Sequence, residues 1–126
     1  MRAVDTNVLV RLLTRDDPRQ AALADAFVQS GAWVSVLALA EATCVLGAVY
    51  DRDAARVARA VEMLLNHQSL TLQEPDAVAA ALESFRRWPA LRFSDCLLVE
   101  LARRAGYLPL GAFDRDLGKV DGVARL

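Results

Sequence analysis

The sequence predicts an α/β protein, a single three-layer α/β/α sandwich built on a mainly parallel central sheet. Three observations predict it. Short apolar runs of strand length alternate with longer stretches at helical spacing along the whole chain of 126 residues. Pro, Gly and Asp or Ser caps mark most of the boundaries between them. No repeat, low-complexity tract or linker-like segment interrupts the alternation, so residues 1–126 read as one domain. Strands joined through helices lie parallel, and the helices are expected to cover the sheet on both faces.

Each element has a local reason. Residues 2–5 read as a strand and 7–14 as a short helix. Asp17-Pro18 is a helix start, with Asp as N-cap and Pro at the first helical position, and Gly31 ends the helix. "AWVS" is a short apolar strand whose Ser35 can cap the next helix, "VLALAEATCVLGAVY". That helix is apolar on most sides and is expected in the core or at an interface. In 53–66, Ala54, Val57, Ala58, Val61, Leu64 and Leu65 line one helical face, with Arg56, Arg59 and Glu62 opposite. "LTLQ" at 70–73 reads as a strand, and Pro75-Asp76 opens a helix that Trp88-Pro89 stops. Ser94 is expected to cap a helix beginning at Asp95 and ending at Gly106. "LPLGAF", a short final helix and "VARL" complete the alternation.

Composition narrows the classes. The chain is 55% hydrophobic and 25% charged, which excludes disordered and collagen-like proteins. A net charge of -1 excludes binding to nucleic acid through overall basicity, so a polyanion must be met by a local patch. Lys119 is the single lysine; the other cations are arginines, whose planar fork suits phosphates and carboxylates. Cys44 and Cys96 form no CxxC pair and read as reduced core thiols. Asp5 precedes any apolar run of signal-peptide length, which predicts a cytoplasmic protein. The apolar stretch 32–50 carries Glu41 near its middle. A charge there costs about 2.5–3.5 kcal/mol on insertion scales, so a strand and a helix are expected rather than a membrane span.

Four acids stand out. Asp5 and Asp114 follow predicted strands, Glu41 lies in the second turn of the helix after the second strand, and Asp95 lies in the first turn of the helix after Ser94. The crevice of an open α/β sheet lies at the carboxyl ends of its strands, so all four can face one rim. Glu41 is the strangest, set among Leu37, Leu39, Ala40, Ala42, Cys44 and Val45, and is expected to be buried with a partner, a cation or an arginine. Two like charges roughly 4 Å apart repel by about 4 kcal/mol at an effective dielectric of about 20. A divalent cation removes that conflict. Oxygen-only donors, without a His or Cys grouping of zinc spacing, favour Mg²⁺ or Mn²⁺. Such an ion activates water and neutralises a phosphodiester oxygen, the usual route to hydrolysis of a nucleic-acid backbone. Thr6 and Asn7 are then expected to orient Asp5. Singly, Asp5 and Asp114 also read as helix caps and Asp95 as a first-turn acid; it is their joint placement that points to a site.

Four stretches, "AVDTNVLVRLL", "LALAE", "FSDCLLVELARRAG" and "AFDRDLGKVDGVARL", occur in that order across nearly the whole chain. Together they resemble the PIN-domain family, in particular its VapC-type ribonuclease toxins. The resemblance implies the parallel α/β/α fold and an Mg²⁺- or Mn²⁺-dependent endoribonuclease acting on RNA. It also implies a cognate VapB-like antitoxin and a homodimer. By position it implies Asp5, Glu41, Asp95 and Asp114 as the catalytic acids, Asp5 and Asp95 as direct metal ligands, and Asp116 as an auxiliary acid. Ala112 departs from the pattern: a Thr or Ser hydroxyl usually precedes the Phe-Asp pair.

Other functions find less support. A phosphotransfer domain would want a second Asp near Asp5 and a lysine after a late strand, and a non-catalytic binding module would not need all four acids. No GxxxxGK[ST], GxGxxG or GxSxG pattern occurs. His67 sits at a predicted helix end and reads as a cap or a solvent-exposed side chain. Arg11, Arg15, Arg92 and Arg115 flank the acidic motifs and are candidates either for phosphate contacts or for ordinary solvated faces.

Overall fold

The computed structural model describes residues 1–126 and has the α/β/α architecture expected from the alternation. The elements in chain order are β1 (Arg2–Ala3), α1 (Thr6–Thr14), α2 (Pro18–Val28), β2 (Ala32–Val34), α3 (Val36–Ala48), α4 (Ala54–Asn66), β3 (Leu70–Leu72), α5 (Pro75–Arg87), α6 (Phe93–Ala105), β4 (Leu110–Ala112), a 3₁₀ turn (Leu117–Lys119) and β5 (Val123–Arg125). All strand pairs are parallel. The sheet nevertheless comes in two hydrogen-bonded parts, a three-stranded piece in the order β1-β2-β3 and a β4-β5 pair. Strands of two or three residues carry few ladder bonds, so helix packing rather than the ladder organises the molecule.

Alternation along the strands sets what the sheet buries. Ala32, Val34, Leu70 and Leu72 point into the core, whereas the row Ala3, Trp33, Thr71, in register across three strands, stays open to solvent. Coverage of both faces, expected from the fold class, is therefore incomplete on this row. The core is aliphatic, with Leu9, Leu39 and Leu46 among its fully buried side chains, each contributing about 1.5–3 kcal/mol of transfer free energy. Phe85 and Phe93 add an edge-to-face contact with ring centroids 6.0 Å apart, which ties α5 to α6.

Caps fix where the helices begin, and hence where the acids stand. Asp5, Asp17, Ser35 and Asp53 each accept a hydrogen bond from the backbone N–H three residues on. At α6 the expectation fails: the helix starts at Phe93 with Arg92 at the N-cap and no side-chain cap, so Ser94 is already inside the first turn. Gly106 ends α6 at φ 86°, a left-handed conformation that glycine adopts without a Cβ penalty. The stretch 32–50 is broken by the Ser35 cap into β2 and α3, and no helix is long and apolar enough to cross a membrane.

Candidate functional site

Asp5 leaves the end of β1 and caps α1: its Oδ1 accepts from the Val8 N–H at 3.1 Å, and Oδ2 makes no hydrogen bond within the protein. The next residue points elsewhere than expected. Thr6 does not orient Asp5; its hydroxyl donates to Oε2 of Glu41 at 2.7 Å, a bond that joins α1 to α3. Asn7 is exposed and lines the groove between α1 and α2.

Glu41 is exposed, not buried, and its partner is Thr6 rather than an arginine. Helical phase explains this. Ala38, Leu39, Ala42, Thr43 and Leu46 face the core, which leaves Leu37, Glu41, Cys44 and Ala48 on the outer side of α3. Of the apolar neighbours that made Glu41 look buried, Leu39 and Ala42 are in the core, whereas Cys44 and Leu37, at 67% exposure, are in solvent. Cys44 shares that side and is therefore not the core thiol expected; Cys96 is. The Cys44 Sγ lies 3.8 Å from the Ser94 hydroxyl, which brings the outer side of α3 to the first turn of α6.

Asp95 follows Ser94 there and is only partly exposed. Burial pushes its carboxyl above the usual carboxylate range; Arg92 pulls it back, and the negative charge of Asp114 pushes it up further. That the Asp114 charge reaches Asp95 places the two within electrostatic range although they come from different elements. Asp114 stands just beyond β4, where its Oδ1 accepts from the N–H groups of Asp116 (2.8 Å) and Leu117 (2.9 Å). With no hydroxyl at position 112, the turn's own backbone holds this acid. Asp116 is exposed and pairs with Lys119 at 3.5 Å.

Asp5, Glu41 and Asp114 each give one oxygen to a donor within the protein and keep the other free; Asp95 gives neither. The donor chemistry fits a hard divalent cation, being carboxylate oxygen throughout. The spacing does not yet close such a site, since no three His, Cys, Asp or Glu side chains converge closely enough to hold a metal ion.

The flanking arginines divide. Arg11 is spent on Gln20, on Asp16 at 3.3 Å and on Tyr50 at 2.9 Å, while Arg15 pairs with Asp25 at 2.6 Å. Arg92 and Arg115 form no salt bridge. His67 occupies the C-cap position of α4, is exposed, and accepts at Nδ1 from the Ser69 N–H, in keeping with its place at a helix end. The PIN domain model matches residues 2–123. The chain belongs to the PIN domain family. PIN domains are generally metal-dependent nucleases that bind RNA, and the match runs from β1 to the start of β5, so it takes in all four acids of this PIN domain. No curated protein matches the chain significantly.

Proposed function

We propose that residues 1–126 form one PIN nuclease domain that hydrolyses RNA phosphodiester bonds with Mg²⁺ or Mn²⁺. In this reading it is the toxin of a VapBC-type pair, a cytoplasmic homodimer held in check by a VapB-like antitoxin. The observation that carries the nuclease reading is the chain of contacts linking the acids: Thr6 binds Glu41, Cys44 of the same helix meets Ser94, and the neighbouring Asp95 feels the charge of Asp114. The toxin and antitoxin roles rest on the likeness of the four motifs to VapC proteins.

Asp5 and Asp95 are the residues that would hold the ion, with Glu41 and Asp114 completing the negative rim. A bound divalent cation supplies charge neutralisation at the scissile phosphate and a lowered pKa for water. The protein's part is positioning. Thr6 fixes the Glu41 carboxylate from α1, and the Asp114 turn fixes its carboxylate through two backbone donors, so that neither acid must be ordered during the reaction. Asp95 must shed its proton to act as a ligand, and its raised pKa makes that the acid-sensitive step.

Incubation of cellular RNA with the purified protein in Mg²⁺, Mn²⁺ or EDTA, beside Asp5→Asn and Asp95→Asn, tests the reading. Discrete cuts that require the metal and both acids are expected. Cleavage at the wild-type rate by both variants would overturn it. Growth arrest on expression, relieved by the product of an adjoining small reading frame, tests the toxin role.

A further inference from the structure

We infer that an arginine track along the first turns of α4, running to Arg92 at the start of α6, carries the phosphates of a single-stranded RNA substrate toward the acidic rim. Arg52, Arg56 and Arg59, with Leu13, Ala60 and Met63, line a surface cavity of about 310 Å³. Arg52 also lines a neighbouring cavity of about 170 Å³, shared with Cys44, Arg92 and Ser94, and Ser94 is the residue before Asp95. The two cavities meet at Arg52, and the second reaches Ser94, beside Asp95 in the chain.

Charge complementarity identifies the occupant. Like most arginines of the chain, Arg52, Arg56, Arg59 and Arg92 form no salt bridge; what sets these four apart is that they line the two adjoining cavities. No carboxylate nearby forms a salt bridge with the track: Asp53 caps α4 through the Arg56 N–H, Glu62 is committed to Arg86 at 3.1 Å, Asp51 pairs with none of the four, and Asp95 acts on Arg92 only at longer range. Arg56 and Arg59 are about one helical turn apart and exposed, so each can reach a separate phosphate. In a protein of net charge -1, this is a local patch of the kind a polyanion requires. That the polyanion is RNA rests on the nuclease reading; that these arginines bind one does not.

The test measures binding without cleavage. A fluorescently labelled single-stranded RNA oligonucleotide is titrated with the protein in EDTA across a series of salt concentrations, and its anisotropy is followed. Arg56→Ala/Arg59→Ala is expected to weaken binding severalfold and to make the slope of log affinity against log salt shallower by about 1.4, some 0.7 per lost phosphate contact. Arg104→Ala, at the far end of α6 from Asp95, is expected to leave both unchanged. RNA bound with the same affinity and salt slope by the double variant overturns the track and leaves the nuclease reading standing. An equal loss in Arg104→Ala overturns it in favour of diffuse attraction. Binding of poly-glutamate through Arg56 and Arg59 with none of RNA overturns it in favour of an acidic protein partner. The nuclease reading fails separately, on cleavage assays with Mg²⁺ or Mn²⁺.

Discussion

Thr6 and Glu41 are 35 residues apart in sequence, yet the Thr6 hydroxyl donates to Glu41 Oε2 at 2.7 Å and locks the first turn of α1 to the second turn of α3. A carboxylate on an exposed helix face would otherwise sample several rotamers; here one oxygen is fixed and the other remains free for chemistry. Thr6→Val keeps the shape and removes the donor. It is expected to lower kcat/KM for RNA cleavage by about 10–100-fold, the usual cost of losing a group that orients a metal-site carboxylate. Thr6→Ser should restore most of the activity. Wild-type kcat/KM in Thr6→Val would show that the bond is structural only.

Asp5 has two duties that substitution can separate. As an N-cap it uses Oδ1 on the Val8 N–H; as a proposed ligand it uses its charge and the other oxygen. Asp5→Asn retains an acceptor for the cap and should fold with near-native stability while losing cleavage by more than about 100-fold. Asp5→Ala loses both, with an added stability cost of about 1 kcal/mol. Urea denaturation of the two variants beside their cleavage rates gives the comparison. Equal stabilities would mean that the cap contributes nothing.

The helix starts at Asp5, Asp17, Ser35 and Pro75, and the places of the four acids in the element order, were legible in the sequence because each is a local signal: a cap, a proline, a break in apolar periodicity. Orientation was not. Glu41 reads as buried when its neighbours are counted along the chain, but α3 is apolar nearly all round, so periodicity does not say which side faces out. The side is decided by what α1 and α6 pack against. The partner of Thr6 was hidden for the same reason, since only the packing of α1 on α3 brings position 41 into reach. Ser94 misled differently: it has the residue type of a cap, but the burial of Phe93 against Phe85 draws the helix start two residues earlier, from Asp95 to Phe93.

Asp95 is held in a site that penalises its charge, first by desolvation and then by Asp114, against a partial offset from Arg92. Its folded pKa lies above the unfolded value, so between the two the folded state binds more protons than the unfolded, and stability falls as pH rises through that window. Above it the full penalty remains. Asp95→Asn should therefore be more stable than the wild type at neutral pH, with a higher Tm, and the difference should vanish below about pH 4, the ordinary carboxylate range. Thermal melts at both pH values check this. Millimolar Mn²⁺ should raise the Tm of the wild type by mass action and leave that of Asp95→Asn nearly unmoved. An Asp95→Asn protein less stable than the wild type at neutral pH would reverse the assignment.

Asp16 works in the opposite sense. Its carboxylate accepts from the Tyr50 hydroxyl at 2.8 Å and the Thr14 hydroxyl at 2.8 Å, with Arg11 alongside, and these bonds hold its pKa below the ordinary value, Tyr50 being the largest cause. A depressed pKa contributes stability that is present above the unfolded value of about 4 and is lost as pH falls through the folded value. Tyr50→Phe removes the main donor to Asp16 and one of the acceptors of Arg11, loosening the junction between the end of α1 and the segment after α3. Because the group is solvated, the effect is expected to be small but pH-dependent: a lower Tm at pH 7, converging on the wild type toward pH 2, with cleavage unchanged. A Tm deficit of the same size at both ends of that range would mean that Tyr50 acts by packing and not through the ionised Asp16.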